Sequence, residues 1–212
     1  MIFKQIRCGG DRNFGYIIAD EETGEAAVVD PSPDPGPVIS ELEVNTFDPL
    51  YLICTHDHYD HTGGNREMKK RFALSTVFHE SAGKGDLRVR DGDTLKVGTL
   101  VLEVFHTPGH TADSISILAK DHLVTGDFLF VGKIGGTGTR DQAMVQFDAL
   151  KRVMAMDESI SIWPGHDVGV QASSTIGEER GQNPFCLRLE NFEEFYNLKE
   201  NWAVYKREHG IA

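Results

Sequence analysis

From Thr55 to Gly64 the chain reads Thr-His-Asp-His-Tyr-Asp-His-Thr-Gly-Gly, with Glu67 just beyond. His56, His58 and His61 thus share a short stretch with the carboxylic acids Asp57, Asp60 and Glu67. Neutral imidazole and carboxylate are the usual nitrogen and oxygen ligands of zinc, iron and manganese. A solvated surface loop has no need of so many histidines. An apolar run, Leu50-Tyr51-Leu52-Ile53-Cys54, leads into the cluster and is bounded upstream by Asp48-Pro49. That pattern reads as a buried strand, so the cluster sits where a strand ends and a loop begins.

The same placement recurs along the chain. After Leu100 to Phe105 comes Pro108-Gly109-His110. After His122 to Thr125 comes Gly126-Asp127, and after Ile160 to Trp163 comes Pro164-Gly165-His166. Gly109, Gly126 and Gly165 each directly precede a ligand-type residue, where the backbone is expected to turn sharply. If these strand ends share one edge, His56, His58, Asp60, His61, His110, Asp127 and His166 converge. One zinc needs three or four ligands. Seven suffice for two metals if a carboxylate, best Asp127, is shared between them, which makes a two-metal hydrolytic centre.

The elements expected to carry these loops alternate. Strands are predicted at Ile2 to Ile6, Asn13 to Ala19 and Glu25 to Asp30, followed by a short helix at Gly36 to Val44 with Pro37 in its first turn. A helix is predicted at Gly63 to Phe72 and a strand at Ser75 to Phe78. Hairpins are predicted at Thr94 to Val97 with Thr99 to Phe105, and at Ser114 to Ala119 with His122 to Thr125. The glycine-rich Gly132 to Gly138 reads as a loop and Gln146 to Met156 as a helix. A docked C-terminal helical segment at about 187–207 would explain Phe192, Phe195, Tyr196, Trp202 and Tyr205. Hairpin strands followed by a helix in each half suggest an α/β fold of two sheets packed face to face, with helices outside.

Composition narrows the function. The 212 residues are expected to form a single domain, 1–212. Asp and Glu total 33 against 21 Lys and Arg, a net charge of −12, which argues against a nucleic-acid partner or an anionic membrane surface. No run approaches membrane-spanning length, and Met1 to Asp11 holds no long apolar stretch. Cys8, Cys54 and Cys186 are widely spaced and fit reduced thiols of a cytoplasmic protein. The composition is compatible with a homo-oligomer. Asp57 reads as a residue that caps or supports a ligand from behind rather than ligating, His79 as a capping or surface residue, and His122 and His209 as solvated. His106 could orient a ligand by a hydrogen bond.

His56-x-His58-x-Asp60-His61 with Gly63-Gly64, then Pro108-Gly109-His110, Gly126-Asp127 and Gly165-His166, resembles the metallo-β-lactamase fold superfamily over nearly the whole chain. Within it the chain is similar to the glyoxalase II (hydroxyacylglutathione hydrolase) and persulfide dioxygenase branch. The resemblance implies a four-layer αβ/βα sandwich. It also implies one metal on His56, His58 and His110, another on Asp60, His61 and His166, and Asp127 bridging them. Tyr59, Gly63-Gly64 and Phe130 to Thr137 resemble the hydrolases, whereas Ser173 to Arg180 with Asn183-Pro184 resembles the dioxygenases. The chain ends at Ala212, short of the full helical glutathione-binding domain of typical glyoxalase II. Gly136-Thr137-Gly138-Thr139-Arg140-Asp141 stands where the dioxygenases have Gly-Arg-Thr-Asp. Both depart from the pattern that goes with glutathione as the substrate's handle.

The expectation is a metal-dependent hydrolase with two divalent ions, zinc ahead of iron or manganese. Metal-activated water would attack a thioester or related acyl substrate, a small molecule that could be a thiol conjugate. Asp60 would orient the water or shuttle its proton, and Tyr59, Lys133 and Arg140 are the candidates for gripping an anionic substrate. The alternative is a persulfide dioxygenase with one Fe(II) on His56, His110 and Asp127.

Overall fold

The computed structural model describes residues 1–210. Its first sheet has the order β1 (Ile2–Arg7), β2 (Phe14–Ala19), β3 (Glu25–Val29), β4 (Asp48–Ile53), β5 (Ser75–His79), β6 (Leu87–Val89). The second has the order β14 (Ser174–Thr175), β13 (Ser161–Pro164), β10 (His122–Gly126), β9 (Ile115–Ala119), β8 (Leu100–His106), β7 (Thr94–Val97). A two-stranded hairpin, β11 (Leu129–Phe130) and β12 (Lys133–Ile134), stands apart. The helices are α1 (Gly36–Val44), α2 (Tyr59–Thr62), α3 (Asn65–Arg71), α4 (Arg140–Met154), α5 (Ile176–Gln182), α6 (Phe192–Glu200) and α7 (Trp202–His209).

Strand alternation builds four layers. Phe14, Tyr16 and Ile18 of β2 and Ala27 and Val29 of β3 face the second sheet, where they meet Val104, Ile115, Ile117 and Val124. The intervening Ile17, Ala19, Ala26 and Val28 face outward and are covered by Val38 and Leu42 of α1 and Met68 of α3. On the far side, Leu123 and Ile162 pack against Phe147, Leu150 and Val153 of α4 and Phe195 and Leu198 of α6. The central strands β2, β3 and β10 bury both of their faces, whereas β7 and β8 alternate buried and exposed; each large side chain fully removed from water contributes about 1.5–3 kcal/mol. The αβ/βα sandwich expected from the sequence is the observed architecture.

Strand direction places the ligand-bearing loops together. β3 and β4 run parallel with Val29 opposite Ile53, and β10 and β13 run parallel with Gly126 opposite Pro164. β8 and β10 are each antiparallel to β9, so β8 also points the same way as β10. The C-terminal ends of β8, β10 and β13 therefore share one edge of the second sheet. An isolated bridge between Asn13 and His166, and a bond from Phe14 N to Gly165 O at 2.9 Å, tie that edge to the first sheet.

Three expected elements differ in extent. α4 starts at Arg140 rather than Gln146, because Thr139 and Gln142 form a capping box that opens the helix directly after the expected Gly132 to Gly138 loop. The C-terminal segment is not one helix. It divides at Asn201, whose side chain turns back to Asn197 O at 2.9 Å, giving α6 and α7. The helix expected from Gly63 begins at Asn65, preceded by the single turn of α2.

Candidate metal centre

The first group of ligand-type residues leaves β4 and enters α2. His58 is extended, with ψ 147°, at the head of the turn, and its carbonyl accepts from the amides of His61 and Thr62 at 3.0 Å. His56, His58 and His61 thereby come off an extended strand end and one helical turn, and they point into the same space as His110, Asp127 and His166. All seven residues expected from the sequence are brought together. The ligand-type atoms of His56, His58 and His110 lie within 4.8 Å of one another, as do those of Asp60, His61 and His166, and those of His56, His61 and Asp127.

Inside the cluster, His58 Nδ1 lies 3.0 Å from His56 Nε2 and 3.1 Å from His110 Nε2. His61 Nε2 lies 3.2 Å from His166 Nε2. Asp127 stands between the groups, with Oδ1 3.3 Å from His61 Nε2, and Oδ2 3.3 Å from His166 Nε2 and 3.8 Å from His110 Nε2. Asp60 Oδ2 lies 3.5 Å from His61 Nε2 and 3.4 Å from His166 Nε2.

The opposite ring nitrogens fix the chemistry of the inward ones. His110 Nδ1 lies 2.9 Å from Gly136 O, and His166 Nδ1 lies 2.8 Å from Asp11 O. A carbonyl only accepts, so both Nδ1 atoms carry hydrogen and donate. His61 Nδ1 likewise meets Asp30 Oδ2 at 2.9 Å. In the neutral rings the Nε2 lone pairs then converge at hydrogen-bonding distance, which is repulsive unless a proton or a cation lies among them. Asp127 Oδ1, moreover, is buried and makes no hydrogen bond among the described residues. Imidazole with carboxylate is the donor set of zinc and iron, and outer partners on the far nitrogens are what metal-ligating histidines need. The residues fit a metal centre.

Electrostatics follow the same lines. Burial pushes the His56 pKa down to about 2, reinforced by His61. Burial also presses on His61, but the Asp30 and Asp127 carboxylates overcome it and hold His61 up at about 10. Burial lowers His110. Against its own burial His166 is raised by Asp127, and against its own burial Asp127 is held well below the usual carboxylate range by His166 and His61.

Of the glycines expected to turn the chain, Gly109 and Gly126 do so, with φ +138° and +51°. Gly165 serves another purpose. A Cβ there would lie 2.4 Å from Asp127 Oδ1 and 2.9 Å from His61 Cε1, so the glycine keeps space at the centre rather than bending the backbone.

The sequence reading passed over the residues behind the ligands. Asp30, 1% exposed, accepts from Thr55 N at 2.8 Å and from Thr55 Oγ1 at 2.5 Å besides holding His61. Thr55 Oγ1 in turn lies 3.1 Å from His56 Nδ1. Asn13, also buried, donates to Asp60 Oδ2 at 3.1 Å and to Asp60 O at 3.2 Å. Asp30 directly follows the apolar Ala26 to Val29, so the strand-end rule that found the other ligand-type residues applies to it as well.

The remaining expected residues are placed as follows. Tyr59 is 79% exposed beside the cluster. Lys133 is half-buried with Nζ 5.7 Å from the Phe130 ring, which itself lies 6.0 Å from the His166 ring. Burial, then Lys206 and Arg12, lower the Lys133 pKa. Arg140 turns away to the C-terminal helix, pairing with Glu193 and lying 5.0 and 4.7 Å over Phe192 and Tyr196. Asp57 pairs with Lys84, and His106 stacks on the buried His79 at 3.9 Å rather than on a ligand. A cavity of about 470 Å³, bounded by Val131, Lys133, Val168, Gln171, Ser174 and Pro184, opens behind the loop after His166. Among the described residues no helix is long and apolar enough to cross a membrane.

Comparison with known proteins agrees with this arrangement. Residues 9–84 and 77–166 match the description of the metallo-beta-lactamase superfamily. A hydroxyacylglutathione hydrolase of Bradyrhizobium sp. (strain ORS 278) is 35% identical over 161 residues, 73% of this chain and 62% of the relative. One from Pelagibacter ubique (strain HTCC1062) is 34% identical over 177 residues, 79% of this chain and 72% of the relative. The chain thus spans only 62% of the length of the first relative it matches. Among solved structures, ETHE1 from Myxococcus xanthus is 32% identical with a TM-score of 0.85, covering 95% of this chain and 91% of that one.

Proposed function

We propose that this chain, which belongs to the metallo-beta-lactamase superfamily, is a hydrolase that holds two divalent ions, zinc foremost, and cleaves a thioester or related acyl substrate. The observation that carries the reading is the presence of two three-residue donor groups, His56/His58/His110 and Asp60/His61/His166, with Asp127 against both. Bound there, the ions would acidify water and polarise a carbonyl oxygen.

The chain's own residues supply the rest. Asp60, held by Asn13 and partly open to solvent, is the group placed to orient the attacking water and accept its proton. A thioester suits such a site because thiolate leaves readily and needs little acid help; no further acid has to be found. Lys133, with Tyr59 at the mouth, is the cation available to an anionic tail. Arg140 is engaged by Glu193 and is assigned no such role. The relatives named hydroxyacylglutathione hydrolase support a glutathione thioester as the substrate to try first.

A second reading places one Fe(II) on His56, His110 and Asp127 for persulfide oxygenation. It draws on Ser173 to Pro184, which folds as the capped α5 with Glu179 buried against Gly132 N at 3.0 Å. The variants H58A and H166A separate the two, with metal counted per chain and thioester hydrolysis and persulfide-dependent O₂ uptake measured. The hydrolase reading expects each variant to lose most of its activity and one of two metals. One iron per chain, O₂ uptake by the wild type and losses of only about 10–100-fold in the variants would replace it with the oxygenase.

A further inference from the structure

Helix α6 reaches the back of the centre through one side chain. The Lys199 ammonium lies 5.8 Å from the ring centroids of both Phe185 and Phe195. It donates to Gly135 O at 3.0 Å and to Gln146 Oε1 at 2.7 Å. Gln146, fully buried on α4, donates to the same Gly135 carbonyl at 3.1 Å and to Phe128 O at 3.4 Å. The next carbonyl along, Gly136, is the one that accepts from His110 Nδ1.

The segment between them has no side chain to steady it. At Gly135 none could fit, since a Cβ would lie 1.9 Å from Asp127 O and 3.2 Å from His110 Cβ. The Gly135–Gly136 peptide is therefore held from behind, by Lys199 and Gln146. An ammonium is an expensive way to fill space between two phenyl rings. Burial draws its pKa down to about 8, and an apolar side chain would fill the same volume without that cost. A charge kept in such a place points to a task beyond packing.

We propose that Lys199 is a positioning residue for His110, clamping the Gly135–Gly136 peptide so that the Gly136 carbonyl fixes the His110 ring and its Nδ1–H tautomer. The proposal rests on the reading of His110 as a metal ligand. Without Lys199 the peptide keeps only Gln146 Nε2 on Gly135 O at 3.1 Å and the long Gly135 N to Phe128 O bond at 3.4 Å, and the Gly136 carbonyl that aims His110 Nε2 into the centre is held less firmly.

The test uses the full chain, zinc-loaded and labelled with ¹⁵N-histidine, as wild type, K199M, K199Q, K199R and H110A. In K199M, and in K199Q measured beside it in case K199M melts early, the His110 Nδ1–H should exchange with water at least about tenfold faster. Zinc affinity, by chelator competition, should fall about tenfold, while melting stays within a few degrees of wild type. K199R, which restores the cation and its donors, should recover most of both. Unchanged His110 N–H exchange in folded K199M or K199Q overturns the proposal, whatever happens to zinc. Wild-type zinc affinity in H110A would instead overturn the ligand reading, and the exchange measurement would still decide whether Lys199 positions the ring.

Discussion

Replacing Asp30 by asparagine tests the shell behind the ligands with little disturbance of the fold. Asp30 sits at φ +48°, a left-handed conformation that asparagine adopts readily, so the backbone is not strained by the change. The carboxylate now receives three donors: Thr55 N on Oδ1, and Thr55 Oγ1 and His61 Nδ1 on Oδ2. An amide has one acceptor oxygen. The Thr55 amide can only donate, so that oxygen must take the Oδ1 position and the NH₂ group must face Thr55 Oγ1 and His61 Nδ1. The threonine hydroxyl has two lone pairs and can accept from the amide while still accepting from His56 Nδ1–H, its own hydrogen turning away. His61 must then accept at Nδ1, which moves its proton to Nε2, the nitrogen that faces Asp127 and His166. A protonated Nε2 cannot ligate, so metal affinity at the His61 site should fall about 10–100-fold, or about 1.4–2.7 kcal/mol. Chelator competition with zinc reads this, and circular dichroism checks that the variant is folded. Folded D30N with wild-type zinc affinity would refute the tautomer argument.

Two further outcomes follow from other contacts. G165A pushes a methyl to 2.4 Å from Asp127 Oδ1, so zinc affinity and hydrolysis should each drop more than about tenfold, and a fully active, metal-replete variant would show that the space is not needed. T139A removes the hydroxyl that accepts from Gln142 N at 3.2 Å and should cost about 1 kcal/mol, seen as a melting temperature lower by roughly 2–4 °C; no change would mean that the capping box does not stabilise α4.

The ligand set was legible because chemistry and punctuation coincide in the sequence. His110, Asp127 and His166 each follow an apolar run and a glycine, and parallel strand ends then bring them to one edge. Asp30 obeys the same rule but was absorbed into its strand, since an acid ending an apolar run reads as ordinary edge solvation. Asn13 and Gln146 carry no local signal at all, because their value lies in partners from distant parts of the chain. The start of α4 had a signal, Thr139-x-x-Gln142, outweighed by the glycines before it. The break at Asn201 had none, since aromatics at 192, 195, 196, 202 and 205 also fit one continuous helix. β6, β11, β12 and β14 are too short for any alternation to show.

The spacing of the paired histidines has a consequence for synthesis. His61 and His166, 3.2 Å apart in the folded chain, are separated by 105 positions in sequence. At translation rates of roughly 5–20 residues per second, the ribosome needs about 5–20 s to pass from one to the other. His110 emerges about midway through that interval, but until its end Asp60 and His61 lack His166, and Lys199 emerges later still. A metal captured during that window would be held loosely and exchanged freely. Tight binding can begin only when both sheets have closed, which makes retention of metal a report on completed folding rather than a step toward it.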